Sequence, residues 1–324
     1  MSNPTFSVCI PTYNRAGMLP RAIDSVLQQS FRDFELLVLD NASTDGTAEL
    51  LGRYNDPRLR VIRNASTVSM FENHNLCIEP ARANWIVYVH SDDACVPTAL
   101  EAFANAIAQK PDRLGIIYAG LDRPGLRTLE GRSWFINRLG LPYSLALCFN
   151  GVGPPSVACF RREALQQVGG FPTDPSFAYH GDHDIAARIA DAGWEFHLLD
   201  VPVELKGLGK HQATWDMEHT VFAQQSIAAT IRSWASLGNW RSFMDLLAED
   251  IGNWPAGRAS QGLYLLASAG LREEYRRVRR ACRRRGEMLH SRVGLTASFV
   301  ATVGPRTYFM LSRTWKRLRF WWSH

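Results

Sequence analysis

Paired cysteines are missing from this 324-residue chain, which excludes a zinc ribbon, a redox dithiol and a disulfide scaffold. Its six cysteines (Cys9, Cys77, Cys95, Cys148, Cys159 and Cys282) are scattered without a CxxC spacing, as expected of a protein in a reducing compartment. No uninterrupted apolar run reaches the roughly 20 residues that a membrane-spanning helix needs. The opening MSNPTFSVCIPTYNR has no basic segment followed by an apolar one, so it does not read as a signal peptide. Without a sign of export, the sequons at Asn41 and Asn64 read as chance. Internal repeats and low-complexity segments are also lacking.

What is present is a chain that can fill a core: 46% of its residues are hydrophobic and 21% charged. The net charge of +5 hides an asymmetry. From Leu271 onward there are 14 Lys and Arg against 3 Asp and Glu, a balance of +11, which leaves −6 for residues 1–270. The basic character therefore belongs to the C-terminal tail, and such a block ordinarily meets an anionic surface.

Apolar runs at Phe6 to Ile10, Phe34 to Asp40, Arg60 to Arg63, Trp85 to His90 and Gly115 to Ala119 alternate with amphipathic stretches. Those stretches run over Leu19 to Gln29, Thr47 to Tyr54, Met70 to Ile78 and Thr98 to Gln109. This alternation predicts an α/β fold, a mostly parallel sheet flanked by helices. The segment from Asp122 to Pro155, rich in Gly, Pro, Arg and aromatics, reads as a loop-rich insertion. Helix and strand patterns return at Ala164 to Gly169, Ile185 to Ala192 and Phe196 to Leu199. Helical patterns then fill Val221 to Leu237, Trp240 to Asp250, Gln261 to Ala269 and Arg272 to Arg285, so a domain of residues 1–215 is expected to precede a helical region of 216–324.

In such sheets ligands bind beyond the carboxyl ends of the strands, and the polar clusters fall there. Pro11-Thr12-Tyr13-Asn14-Arg15 follows the first strand, Asp40-Asn41-Ala42-Ser43-Thr44-Asp45-Gly46 the second, and His90-Ser91-Asp92-Asp93 the fourth. Asp40 closes an apolar strand, where an unpaired carboxylate is costly, so it should accept a hydrogen bond or cap the following turn. Asp92 and Asp93 offer the hard oxygens that magnesium or manganese prefers. The plainer role for them is an N-cap of the helix from Thr98.

With these pieces, and with Gly169-Gly170-Phe171, Asp182-His183-Asp184, Arg188 and His211, the chain from about Phe6 to Thr214 resembles the family 2 glycosyltransferases of the GT-A fold. The resemblance implies an inverting transfer of a sugar from a nucleoside-diphosphate sugar, a UDP-sugar by preference, to an acceptor hydroxyl. It implies a Mn2+ or Mg2+ ion held by Asp92 and His211, with Asp93 and His90 as further candidates. It places Pro11, Thr12, Tyr13, Arg15, Asp40, Asp45, His74, Ser91, Asp92, Asp93 and Lys210 around the donor. Asp182 becomes the catalytic base that takes the acceptor's proton. Trp134, Gly153, Ser156, His180 and Asp184 are candidates for the acceptor side. Two departures from the family pattern stand out: His90 occupies the place of the first carboxylate of Asp-x-Asp, and His74-Asn75 replaces a common Arg-Asn. His90 can ligate metal, bind the ribose or fill space. Asp45 can equally form a turn, Asp182 can cap a helix beginning near Ile185, and His211 can be a loop residue in solvent.

The resemblance further suggests polysaccharide or glycolipid synthesis, with a saccharide or lipid-linked saccharide as acceptor. Arg272, Arg276, Arg279, Arg280 and Arg283 fall at helical spacing, which predicts a positive stripe. Aromatics from Phe299 to Trp322 mixed with Arg and Lys suit the headgroup layer of an anionic bilayer, or else a packing face or oligomer contact. A cytoplasmic protein, peripheral on the inner membrane face, is the expectation. The acidic first 270 residues argue against nucleic acid as partner. The rivals in other classes are a metal-dependent hydrolase, in which His180, Asp182 and His183 join His90, Asp92 and Asp93, and an inert sugar-nucleotide binding module.

Overall fold

The computed structural model describes residues 3–109, 112–121, 157–177, 180–205, 207, 229–238, 240–241, 244–245, 263 and 266–284. Strands and helices follow as β1 (Phe6–Thr12), α1 (Leu19–Leu27), β2 (Phe34–Asp40), α2 (Thr47–Leu51), β3 (Leu59–Arg63), α3 (Met70–Asn75), β4 (Trp85–Tyr88), β5 (Ala94–Cys95) and α4 (Ala99–Gln109). Next come β6 (Leu114–Leu121), β7 (Ala158–Arg161), α5 (Arg162–Gln167), a 3₁₀ turn at Pro175–Phe177, α6 (Gly181–Asp191), β8 (Glu195–Leu205) and α7 (Arg272–Arg284). The chain divides into two compact units. One takes Met1–Tyr143, Pro154–Thr173 and Ile185–Gln212; the other takes Ser144–Gly153, Asp174–Asp184 and Ala213–His324.

The first unit is built on an eight-stranded sheet in the order β3-β2-β1-β4-β7-β6-β8-β5. Strands β3, β2, β1 and β4 are parallel, as are β6 and β8. β7 runs antiparallel to both β4 and β6, and β5 antiparallel to β8. Parallel strands covered on both faces need apolar side chains nearly throughout, and β1 (FSVCIPT) and β2 (FELLVLD) are buried at every position. The two polar exceptions near the start of these strands satisfy one another. Ser7 Oγ donates to Glu35 at 2.7 Å, and Arg60 and the Arg82 amide, each at 2.7 Å, complete the carboxylate's partners. Burial alone raises the Glu35 pKa, but these hydrogen bonds outweigh it and hold the carboxyl below its ordinary value.

Helix α1 begins with Pro20 in its first turn and buries Leu19, Ala22, Ile23 and Val26, the stripe that a 3.6-residue period places on one face. Helix α4 buries Ala99, Leu100, Phe103 and Ala106 in the same way. Both stripes join Val8, Ile10, Leu36 and Val38 in one core. Fully burying each Leu, Ile, Val or Phe contributes about 1.5–3 kcal/mol, so this layer fixes the sheet whose carboxyl edge carries the polar loops. The predicted α/β architecture, a mostly parallel sheet flanked by helices, is the one observed. Helix α6 starts at Gly181, four residues before the expected start.

In the second unit the described residues of 229–234 and 272–284 are helical. Helix α7 buries Tyr275, Val278 and Cys282, and Arg277 pairs with Asp245. Arg272, Arg276 and Arg280 are exposed in one row at four-residue steps. Arg279 is half-buried, with an unpartnered buried Nε, because it lies next to the Val278 face; it does not belong to the open stripe. The side chain of Arg283 and the tail of 285–324, with its aromatics, lie outside the described residues. The five described cysteines are buried. No described helix is long and apolar enough to cross a membrane.

Candidate active site

The register places Thr12 beside Asp40 and Asp40 beside Arg63, so three polar side chains stand in a row at the carboxyl edge of β1, β2 and β3. Asp40 is 1% exposed. One of its oxygens accepts from the Ser43 amide at 2.9 Å, and the other accepts from Arg63 Nη1 at 2.6 Å. Arg63 also donates to the Ser43 carbonyl at 2.8 Å. Asp40 thus has the hydrogen bonds that its position requires, and it does close the turn. Arg63 was not singled out from the sequence: an arginine ending a half-exposed edge strand looks like an ordinary solvated charge until the register sets it next to a buried carboxylate.

The loops after β1 and β2 are stitched together. The Asn14 amide donates to Ser43 Oγ at 2.9 Å, Asn14 Oδ1 accepts from the Thr44 amide at 2.8 Å, and the Ala16 amide donates to Asp45 at 3.0 Å. Asp45 also accepts from the amide and the hydroxyl of Thr47. Burial alone raises its pKa; these bonds outweigh that effect and hold the carboxyl below its ordinary value. The turn-forming role of Asp45 is therefore realised in full. Asn14 and Ala42 sit at φ of 51° and 56°, a left-handed backbone that non-glycine residues rarely take and that is held here by the latch. Behind it, Asn64 donates to both Asn41 and Asn73 at 2.9 Å, and Asn41 donates to the Val68 carbonyl. Both sequon amides are consumed internally, which agrees with reading those sequons as chance. Tyr13 is 48% exposed at the mouth of these loops, while Thr12 is 2% exposed and its hydroxyl has no partner.

After β4 the chain turns sharply, with the Asp93 amide donating to the His90 carbonyl at 3.0 Å. The turn brings His90, Asp92 and Asp93 together: each offers a donor atom within 4.8 Å of the others. Among the described residues this is the one such group of three or more, and His180, Asp182 and His183 form none, which leaves the two-metal hydrolase reading without support. Asp92 and Asp93 do not cap α4, which begins six residues beyond Asp93. The buried Asp93 accepts from the Gly207 amide at 2.8 Å, Val96 N–H bonds Val203, and Arg21 holds the Leu205 carbonyl at 3.1 Å. A Cβ on Gly207 would lie 2.0 Å from the Asp92 carbonyl oxygen, so only glycine fits against this turn. The sequence alone marks Gly207 only as one glycine of a Gly-Leu-Gly run.

His74 is buried in a cluster of Phe71, Tyr88 and Phe171, with its ring edge-on to that of His90 at 5.8 Å. Its Nδ1 lies 2.7 Å from the Met70 carbonyl, an acceptor only, so Nδ1 carries the proton and Nε2 is left as an acceptor. Burial, with His90 close by, pushes its pKa down to about 3. A neutral His74 brings no positive charge to this place, unlike the arginine common in the family. Its neighbour Asn75 clamps Phe171 in two hydrogen bonds, at 2.7 and 2.8 Å. Gly169 and Gly170, both with positive φ, end α5 in a Schellman turn in which Gly170 N–H reaches the Leu165 carbonyl. Arg188 binds the Val168 and Gly170 carbonyls at 2.5 and 2.7 Å, which gives the Gly-Gly-Phe and Arg188 signals one shared task.

In the second unit, Asp182 is half-buried in the first turn of α6, and its carboxylate accepts from the His183 amide at 2.8 Å. Asp184 is buried and accepts from Ser233 Oγ at 3.1 Å. His183 lies edge-on to Trp234, and His180 stacks on His183. Burial and the neighbouring His183 push the His180 pKa down to about 3. Trp134, Gly153, Ser156, Lys210 and His211 lie outside the described residues.

Among known proteins, the chain is 31% identical over 200 residues to a PGL/p-HBAD biosynthesis glycosyltransferase of Mycobacterium bovis, covering 61% of this chain and 70% of that one. It is also 31% identical over 191 residues to an uncharacterized protein of Mycobacterium tuberculosis, where the match takes in 53% of this chain but only 58% of the relative's length. Two solved structures share the fold at low identity. The Staphylococcus aureus TarS fragment in complex with UDP-GlcNAc superposes with a TM-score of 0.64 and 16% identity, over 96% of this chain and 92% of that one. A Pyrobaculum calidifontis mannosyltransferase in complex with GDP-Man and Mn2+ gives 0.55 and 21%, over 94% and 87%. The profile of Glycosyl transferase family 2 matches residues 7–169, half of the sequence and the part that carries the latched loops and the His-Asp-Asp turn; the chain belongs to that family.

Proposed function

We propose that this protein is an inverting glycosyltransferase that moves a sugar from a nucleoside-diphosphate sugar, preferentially a UDP-sugar, onto the hydroxyl of a saccharide or lipid-linked saccharide. The observation that carries the reading is the donor set of His90, Asp92 and Asp93 at the carboxyl edge of a family 2 sheet. Its oxygens suit Mg2+ or Mn2+, and an ion held there would supply positive charge to the departing diphosphate. Asp92 is the principal ligand in this reading. His211, four residues after Gly207 in sequence, is the second ligand.

On the nucleotide side, Asp40 offers lone pairs beyond its two internal bonds to a pyrimidine N–H, with Tyr13 stacking on the base and Pro11 and Thr12 along its edge. Arg15, Asp45, Ser91 and Lys210 complete the donor surroundings. In the displacement the acceptor oxygen bonds to the anomeric carbon as the carbon–phosphate-oxygen bond breaks, and the hydroxyl proton passes to Asp182. A single displacement inverts the anomeric centre and needs no second carboxylate, in contrast to hydrolases that proceed through a glycosyl-enzyme. Glycolipid synthesis is supported by the mycobacterial relative's name. The exposed Arg272, Arg276 and Arg280 row supports attachment of the second unit to an anionic membrane face.

The test is release of UDP from UDP-sugars in the presence of Mn2+. Metal-dependent release lost in Asp92→Ala supports transfer. Nucleotide binding without release, with or without acceptor extracts, indicates a binding module instead. Asp182→Asn is expected to keep the UDP-induced thermal shift while lowering turnover by about 100-fold or more.

A further inference from the structure

The first turn of α6 belongs to the second unit, and so does the helix described over 229–234. Two adjacent residues of that helix hold two adjacent residues of the turn. Ser233 Oγ donates to the buried Asp184 carboxylate at 3.1 Å, and the fully buried Trp234 meets the His183 ring edge-on at 6.5 Å. Ser233 is itself fixed where its helix ends, since its carbonyl accepts from the amide and the hydroxyl of Ser236 at 3.1 and 2.6 Å. On the α6 side, the Asp184 amide donates to the His180 carbonyl at 3.1 Å, and His180 stacks on His183.

This arrangement leaves Asp182 one direction. Successive side chains on a helix stand about 100° apart, so with 183 and 184 both turned to the 229–234 helix, the side chain at 182 points about 150° away from it. Asp182 is accordingly only half-buried. One of its oxygens accepts from the His183 amide at 2.8 Å; among the described residues the other accepts no hydrogen bond, so it is the oxygen open to a proton. A buried carboxylate at 184 would be satisfied by any nearby donor. Ser233 differs from such a donor in its leverage: Asp184 stands two residues from Asp182 on one helical turn, so a shift of the first carries the second. Misplacing a reacting group by about 1 Å can cost on the order of 100-fold in rate. Ser233 and Trp234 both lie outside residues 7–169, which the family profile matches.

We propose that Ser233 is a positioning residue for the transfer reaction: by holding Asp184 it aims the open oxygen of Asp182 at the proton of the acceptor hydroxyl. This rests on the reading of Asp182 as the base. The experiment follows UDP release from UDP-sugars with Mn2+ in the full chain, water serving as the acceptor. Ser233→Ala should lower kcat by about tenfold, with the KM for the UDP-sugar and the UDP-induced thermal shift unchanged. Ser233→Thr keeps the hydroxyl and should hold kcat within about twofold of wild type. Asp182→Asn removes the group being aimed, so adding Ser233→Ala to it should cost nothing further, whereas a role in stability alone gives the same fractional loss in both backgrounds. An unchanged kcat in Ser233→Ala, an equal loss in Ser233→Thr, or the same factor in the Asp182→Asn background overturns the proposal. Failure of the base assignment looks different, because Asp182→Asn then keeps the wild-type kcat. Failure of the transferase reading leaves the wild type itself without UDP release or a UDP-induced shift.

Discussion

Replacing Gly207 by alanine should damage the His90–Asp93 turn, proposed above to hold a metal, without touching its three donor side chains. The added Cβ would meet the Asp92 carbonyl oxygen at 2.0 Å, more than an ångström inside ordinary contact, and the obstructing atom is backbone rather than a flexible side-chain tip. Either the end of β8 or the His90–Asp93 turn must move. The movement breaks the 2.8 Å bond from the Gly207 amide to the buried Asp93 carboxylate and loads the adjacent β5–β8 pairing. A hydrogen bond to a buried charge contributes about 1.5–3 kcal/mol, and overpacking adds about 1–3 kcal/mol. Together they give a loss of about 2.5–6 kcal/mol, which should lower the melting midpoint by about 5–20 °C. Displacing a neighbour of a metal ligand costs about 10- to 100-fold in metal affinity or activity. Differential scanning fluorimetry with and without Mn2+ measures both effects. Asp93→Asn, which keeps an acceptor for the amide but removes the charge, separates shape from electrostatics. An unchanged midpoint together with an unchanged Mn2+ response in Gly207→Ala would refute the reasoning.

Arg63→Met leaves the Asp40 carboxylate buried with only the Ser43 amide. Because Arg63 is itself 46% exposed, the expected loss is modest, about 1–2 kcal/mol by urea unfolding, with a weaker UDP-induced thermal shift. Thr12→Val removes a buried hydroxyl that has no partner, and chemical denaturation should show stability unchanged or raised by up to about 1 kcal/mol; a loss would mean that the hydroxyl is satisfied after all. His74 has a folded pKa of about 3 against an ordinary 6.5, so between those values the unfolded chain takes up a proton that the folded chain refuses. Stability should therefore fall as pH drops through that window, by up to about 1.4 kcal/mol per pH unit from this group, and His74→Phe should flatten that slope in melts from pH 7 to pH 4.

The parallel strands were legible because burial on both faces leaves a short apolar run as their imprint, clear in Phe34 to Asp40 and Phe6 to Ile10. β7 left no such imprint. Four residues, ACFR, pass directly into α5 without a turn signal, and the strand exists only because β4 and β6 supply partners on both sides. β5, at two residues, is defined wholly by its pairing with β8. At the site, the acidic residues announced themselves by standing at strand exits, but the groups that hold them did not. Arg63, Gly207, Asn14 and Arg21 act through register and long-range contact, which a linear reading does not contain. Arg188 and Gly170 were each visible as motif members, and their shared bond appears only once α6 and the end of α5 are side by side.

Asn14 and Ala42 adopt a costly backbone, and the amides of Asn14, Ala16 and Thr44 each find their acceptor on the opposite loop. The two loops are therefore held together as one unit. In the function proposed above, a base arriving there meets amides and carbonyls whose ordering entropy is already spent, and its association rate should follow diffusion rather than loop closure.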